Sequence, residues 1–260
     1  MPSFRLLASA LFSSALFALA LAAAPQAASA QSFSDAQRSD IQKIIREYLI
    51  ANPEVLEEAM NELAKRQAAA EAEKHQASIA KNADAIFNSP RGVTLGNKDG
   101  DVTFVEFFDY NCGYCKRALT DMLELMKSDS KLKVVLKEFP VLSQGSVEAA
   151  HVAVAVRMQD PTGKKYLDFH QKLLMGRGAA DKARAMAAAK EAGLDMAKLE
   201  KDYSSEEVRA TLEENLKLAE AMGMNGTPSY VIGKQIVIGA VGLENLKEKI
   251  RNARCGKATC

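Results

Sequence analysis

Two cysteines three positions apart, Cys112 and Cys115, carry the most specific chemistry in the chain. They lie in Asp109-Tyr110-Asn111-Cys112-Gly113-Tyr114-Cys115, after an apolar run and at the head of a helical pattern made by Ala118, Leu119, Met122, Leu123 and Met126. A C-x-x-C pair at the start of a helix can close a small-ring disulfide. Its first sulfur sits where unpaired backbone N–H groups and the helix dipole favour an anion. A stabilised thiolate is reactive near neutral pH and a good leaving group, which makes the disulfide of the pair oxidising. Cys112 is then expected to form a mixed disulfide with a substrate, and Cys115, one turn inside the helix, to resolve it. Attachment of c-type haem would need His after the second cysteine, and position 116 is Lys. Half of a zinc site would need two further ligands, which only Cys255, Cys260 or the three histidines could supply from far along the chain. A purely structural bridge across two residues closes too small a loop to constrain the unfolded chain much.

Three further features bear on this pair. In Gly226-Thr227-Pro228-Ser229, proline opens a strand where it removes no ladder donor. The spacing fits a cis Thr227–Pro228 bond, which would turn the Thr227 backbone towards the cysteines, and fits an ordinary trans proline at a strand edge equally well. Glu106 is an acid in the middle of the apolar run 104–108, where an ionised carboxylate is costly unless paired. The residues alone predict that it points outward at a strand edge. Buried, it would have a raised pKa and could take the proton of Cys115, with Lys137 on the next strand as its partner. Cys255 and Cys260, five apart at the end of the sequence, are expected to bridge each other as a staple, with a second redox pair or metal ligation as the open alternatives. His75, His151 and His170 have no companion at metal spacing, so no resident metal and no cofactor are expected.

The elements around these residues follow from periodicity. Residues 102–108 read as a strand covered on both faces, and 132–139 as a second strand joined to it by the C-x-x-C helix, a crossover long enough for parallel pairing. Helical patterns follow near 146–159, 163–175, 180–192, 195–202 and 205–222. A hairpin over 229–232 and 235–238 turns at Gly233-Lys234, and a helix over 243–252 closes the pattern. The order β-α-β, helical block, β-β-α predicts an α/β thioredoxin-like fold with a large helical insertion, about 142–224, in a catalytic domain over 89–260.

The 260 residues are 48% apolar and 26% charged, an ordinary globular composition. With 34 Lys+Arg against 33 Asp+Glu and no long run of one sign, no nucleic-acid partner is implied. Residues 1–30 read as a signal peptide: Arg5, an apolar stretch from Leu6 to Ala24, and Ala28-Ser29-Ala30 before a cleavage site after Ala30. Its removal takes away one basic residue and no acid, leaving a formally neutral exported chain in a compartment where disulfides persist. Residues 31–88 read as a helical region and linker. Ile41, Ile44, Ile45, Tyr48 and Leu49 recur at helical spacing, and Asn52-Pro53 is expected to cap a second helix carrying Val55, Leu56, Ala59, Met60 and Leu63. A polar Ala/Glu/Lys/Gln run follows from 65 to 81. Such helices bury little alone, so self-association through 33–88 is expected.

Phe107-Phe108-Asp109-Tyr110-Asn111-Cys112-Gly113-Tyr114-Cys115-Lys116, Leu136-Lys137-Glu138-Phe139-Pro140 and Gly226-Thr227-Pro228-Ser229-Tyr230 together resemble the DsbA family of periplasmic thiol-disulfide oxidoreductases over about 90–252. The N-terminal helices, the Gly-Tyr dipeptide and Thr before the proline are most similar to the subgroup of the suppressor of copper sensitivity protein ScsC and the outer-membrane-associated protein Com1. The resemblance implies Cys112 as nucleophile, Cys115 as resolving thiol, Glu106 as a buried acid and Pro228 as a cis-proline. It also implies Thr227, Gly113 and Tyr114 at the substrate groove. Expected partners are exported cysteine-containing proteins, a membrane thiol-disulfide donor or acceptor, and further copies of the chain in a trimer or dimer. The DsbA oxidase has Pro-His where Gly113-Tyr114 stands, and Thr before the proline is shared with DsbC-type isomerases. A disulfide isomerase or reductase is therefore the expected activity, with a DsbA-like dithiol oxidase, or a copper-tolerance protein holding Cu(I) on the two thiolates, as alternatives.

Overall fold

The computed structural model describes residues 33–256, so the expected signal peptide, 1–30, and Cys260 lie outside the described residues. The chain forms two compact units divided after Leu63. In the first, α1 (Asp35–Ala51) opens on a capping box: Ser34 Oγ accepts from Gln37 N at 3.3 Å, and Gln37 Oε1 accepts from Ser34 N at 2.9 Å. Asn52 ends this helix, its backbone and side-chain N–H groups both donating to the Tyr48 carbonyl at 2.9 Å. It closes α1 rather than capping α2 (Glu54–Lys81), a correction to the expected assignment. Ile41, Ile44, Ile45 and Tyr48 on α1, and Leu56, Met60 and Leu63 on α2, are all exposed. The polar run does not interrupt α2, because Ala, Glu, Lys and Gln are strong helix formers.

The second unit contains α3 (Ala83–Phe87) and a five-stranded sheet of β1 (Val93–Gly96), β2 (Val102–Phe108), β3 (Leu132–Glu138), β4 (Ser229–Ile232) and β5 (Gln235–Ile238). The spatial order is β1-β3-β2-β4-β5. Only β2 and β3 pair in parallel, joined by α4 (Gly113–Ser128). The insertion between β3 and β4 is α5 (Gln144–Gln159), α6 (Lys164–Met175), α7 (Lys182–Glu191), α8 (Met196–Asp202) and α9 (Glu206–Ala221), and α10 (Leu243–Cys255) closes the unit. This is the thioredoxin-like arrangement expected from the sequence, with one addition. The edge strand β1 was not expected: four residues carry too little alternation to stand out, and its pairing with Leu136 and its neighbours lies some forty positions away. Gly96 ends β1 at φ +69°, where a Cβ would come within 2.7 Å of the Leu132 carbonyl oxygen.

The apolarity of β2 comes from burial on both faces. Phe104 and Phe108 pack with Ala118, Leu119 and Met122 of α4 on one side. Val105 and Phe107 pack with Ile86, Leu218 and Met222 on the other. Side chains alternate along a strand, so Glu106 shares the α4 face, whereas Lys137, in register with Phe107, lies on the opposite face. Lys137 is therefore not the partner of Glu106. Its Nζ is 3.6 Å from Glu214 and donates to Asn215 Oδ1 at 3.5 Å. Ile86 is wholly buried in the second cluster. Ile86→Ala should lower the unfolding free energy by about 2–4 kcal/mol in urea titration; an unchanged midpoint would contradict the docking of α3.

Candidate active site

The turn between β2 and α4 is fixed by two side chains. Asp109, 1% exposed, accepts from Asn111 N at 2.8 Å on Oδ1, and from Val141 N and Leu142 N at 2.9 and 3.0 Å on Oδ2. Its carbonyl accepts from Cys112 N at 3.1 Å. Asn111 reaches the insertion: Nδ2 donates to Ala180 O at 2.9 Å and Ser146 Oγ at 3.0 Å, while Oδ1 accepts from Ala180 N at 2.6 Å. Lys116 Nζ donates to Gly176 O at 3.0 Å. Sequence reasoning missed Asp109 and Asn111 as positioning residues. The available signal was the Asp-x-Asn spacing of an Asx turn at the end of a strand.

On this base Cys112 is the N-cap of α4 and Cys115 lies in its first turn, both as free thiols. The Cys112 Sγ is 3.1 Å from the Thr227 carbonyl oxygen, and the Thr227–Pro228 bond is cis. The amides of Tyr114 and Cys115 face the sulfur without closing a conventional cap hydrogen bond. The Cys115 thiol lowers the Cys112 pKa most, with further help from the Thr227 side chain and these amides, not from the Thr227 carbonyl, which accepts from the neutral thiol. Against the opposing effect of burial, together they bring it down to about 5. Cys115 is fully buried, and burial, its hydrogen bond to Cys112 and the nearby Glu106 carboxyl push its own pKa far up. The two thiols thus differ strongly in acidity: one is an anion at neutral pH and the other keeps its proton.

Glu106 is 4% exposed, on the face of β2 that carries these cysteines, in register with Tyr230. The outward orientation expected from the residues is corrected, because a central strand covered on both sides offers no outward position. The resemblance had implied the buried acid. Burial, then the charges of Cys112 and Asp121, raise its pKa to about 8. Gly113 and Tyr114 are exposed, and a Cβ on Gly113 would meet nothing within 4 Å. The Arg117 guanidinium stacks 4.6 Å from the Tyr114 ring centroid.

A polar cluster unforeseen in the sequence lies under the turn. Tyr166 donates to Glu138 Oε1 at 2.5 Å, and the Tyr110 hydroxyl is 3.2 Å from His170 Nδ1. Burial raises the Glu138 pKa well above its ordinary value and lowers that of His170 to about 3, so the imidazole is neutral near pH 7. Cys255 is disulfide-bonded, and its expected partner Cys260 lies outside the described residues. Among the described residues no group of three His, Cys, Asp or Glu side chains could hold a metal ion. Nor is any described helix long and apolar enough to cross a membrane.

A dithiol at a helix N-terminus beside a cis-proline, on a thioredoxin-like sheet, defines the class of thiol-disulfide exchange proteins. Comparison with known proteins narrows it. The DSBA-like thioredoxin domain matches residues 103–251, and the copper resistance protein ScsC N-terminal domain matches 37–70. The chain belongs to the DsbA-like thiol-disulfide oxidoreductase family. It is 40% identical to a thioredoxin-like oxidoreductase from Silicibacter pomeroyi (TM-score 0.62, covering 66% of this chain and 96% of that one). It is 30% identical to Proteus mirabilis ScsC in a transitional conformation (TM-score 0.63, covering 88% and 100%). Thiol:disulfide interchange protein DsbA of Bordetella pertussis is 26% identical over 145 residues, 52% of this chain. The chain spans 64% of that protein's length, and 25% of that of the Na(+)/H(+) antiporter NhaA 1 of Salinispora arenicola, which it also matches.

The environment of Glu106 has a measurable consequence. Its folded pKa of about 8 lies above the ordinary 4.5, so it costs no stability below pH 4.5 and progressively more as pH rises towards 8. Glu106→Gln should therefore be no less stable than the parent near pH 4.5 and gain on it up to pH 8, by as much as about 5 kcal/mol. Parallel stability-against-pH curves would show that the acid is not buried.

Proposed function

We infer that the chain is an exported enzyme that exchanges disulfides on cysteine-containing proteins, working as an isomerase or reductase. The observation that carries this reading is the acidity difference between Cys112 and Cys115 beside the Thr227 carbonyl. The Cys112 thiolate attacks one sulfur of a substrate disulfide. A Cys112–substrate bond forms and the other substrate sulfur leaves as a thiolate. In isomerisation, a substrate thiolate then attacks elsewhere in the substrate or displaces Cys112, which leaves readily because its pKa is low. In reduction, the mixed disulfide removes the Cys112 charge that helps hold the Glu106 pKa up, so ionised Glu106 takes the proton of Cys115 as Cys115 attacks Cys112, releasing the reduced substrate with the pair oxidised. Thr227 and Pro228 line the place where the substrate backbone pairs, and Gly113 and Tyr114 form its exposed edge.

Isomerase or reductase activity is favoured over a primary oxidase by the N-terminal helices. Their exposed stripe of Ile44, Ile45, Tyr48, Met60 and Leu63 needs cover, and the match to an ScsC N-terminal domain over 37–70 supports a second or third copy as that cover. We propose that the oligomerising contacts lie within 31–88, on the exposed apolar residues of α1 and the first half of α2, and that 89–260 is the catalytic domain, on which α3 packs through Ile86. Several reduced sites facing one cleft suit the reshuffling of wrong disulfides. A membrane thiol-disulfide donor would keep them reduced in the periplasm, after cleavage following Ala30.

The test is reactivation of scrambled ribonuclease by a catalytic amount of reduced protein, residues 31–260. The expected result is recovered ribonuclease activity, abolished by Cys112→Ser. Deleting 31–63 should abolish it as well while leaving one-step reduction of a small disulfide intact. Rapid oxidation of reduced ribonuclease without reshuffling would assign the chain to the dithiol oxidases instead.

A further inference from the structure

The rim of the redox pair has a charge pattern that the exchange chemistry does not itself require. Five segments meet there. The turn 110–117 carries the cysteines, and 140–145 is tied to it by the amides of Val141 and Leu142 on Asp109. Residues 175–180 are tied to it twice, by Lys116 on Gly176 and by Asn111 on Ala180. Residues 225–228 bring the Thr227 carbonyl to Cys112, and 239–242 follow through the hydrogen bond from Gly239 N to Pro228 O at 2.8 Å. These segments hold Lys116, Arg117 and Arg177; the acids that flank them are the buried Asp109 and the exposed Asp181 and Glu244. Arg117 and Arg177 are exposed. The same rim exposes large apolar groups: Tyr114 at 58%, Met175 at 55%, Leu142 at 54% and Val141 at 44%.

We propose that this surface selects partners whose reactive cysteine lies in an apolar segment of net negative charge. Resting on the exchange reading above, the inference names the substrate class of the same site. Cations on a rim act mainly on encounter and on the choice of partner, and their effect fades with salt. The apolar side chains supply contact area that is indifferent to sequence, while Arg117 and Arg177 discriminate by charge. Glu106, Asp109 and Glu138 are buried beneath the turn and do not present carboxylates to a partner; Asp181, which flanks 175–180, is exposed, and its carboxylate accepts from Arg184 N at 2.9 Å as the cap of α7.

The test compares two small disulfides with the reduced full-length mature protein at pH 7: the dianionic 5,5′-dithiobis(2-nitrobenzoate) and the dicationic cystamine. In each reaction Cys112 and Cys115 are oxidised to their disulfide, and the probe is reduced to two thiols. The ratio of the two rates, compared between proteins, cancels the intrinsic reactivities of the probes and any change in the Cys112 thiolate. In low salt, Arg117→Glu with Arg177→Glu should lower the anionic-to-cationic ratio on the order of tenfold. In the unaltered protein, 0.5 M salt should lower the same ratio, a readout that needs no variant. If both probes react and neither charge reversal nor salt moves the ratio, the proposed selectivity is wrong while the exchange reading stands. If neither probe oxidises the wild-type pair, the exchange reading fails and this inference with it.

Discussion

A helix that begins on a cysteine has no side-chain oxygen with which to satisfy its first amides, and this constraint organises the site. At the head of α4 the sulfur of Cys112 faces the amides of Tyr114 and Cys115, and the Cys115 thiol donates to it from one turn further in. Every one of these contacts is better with a negative sulfur than with a neutral one. Cys115, sealed from solvent, keeps its own proton while Cys112 loses its proton. The division of labour between attacking and resolving thiols therefore follows from their order along one helical turn, before any substrate is considered.

Holding that turn still is the task of groups that do no exchange chemistry. Asp109 satisfies three backbone amides from two separate connections, and Asn111 pairs with both backbone groups of Ala180. The insertion is thus fastened to the thioredoxin-like sheet at the redox loop itself. Below it, Tyr110 couples the turn to Tyr166, Glu138 and His170, where burial shifts each titratable group towards its neutral form. Glu106 is the buried acid of this site poised nearest neutral pH. Its pKa near 8 leaves it able to gain or lose a proton close to physiological pH, beside the one thiol that has to lose one.

Much of this was legible in the residues. The hairpin 229–232 and 235–238 agrees with the observed strands residue for residue, because Gly233-Lys234 is a turn between two β-branched runs. The five inserted helices fall within two or three residues of expectation, each opened or closed by a Gly, Ser or Asp that does cap it. What failed was long-range. Which face Glu106 occupies depends on helices far along the chain that cover β2, and Lys137 was misassigned because a one-residue offset in register carries a side chain to the other face. β1 was hidden because its pairing partner, not its own composition, makes it a strand. The bond before Pro228 could not be read from its neighbours, and only the family resemblance anticipated its cis form.

Cys112 alone of the pair is an anion at neutral pH. Thiolate absorbance of the reduced protein near 240 nm, followed from pH 3 to 8 with alkylation at pH 6 mapped by mass spectrometry, tests it directly. The expected result is one titration with a midpoint near 5 and a single adduct, on Cys112. A midpoint near 8 or 9, or labelling of Cys115 at a comparable rate, would contradict it.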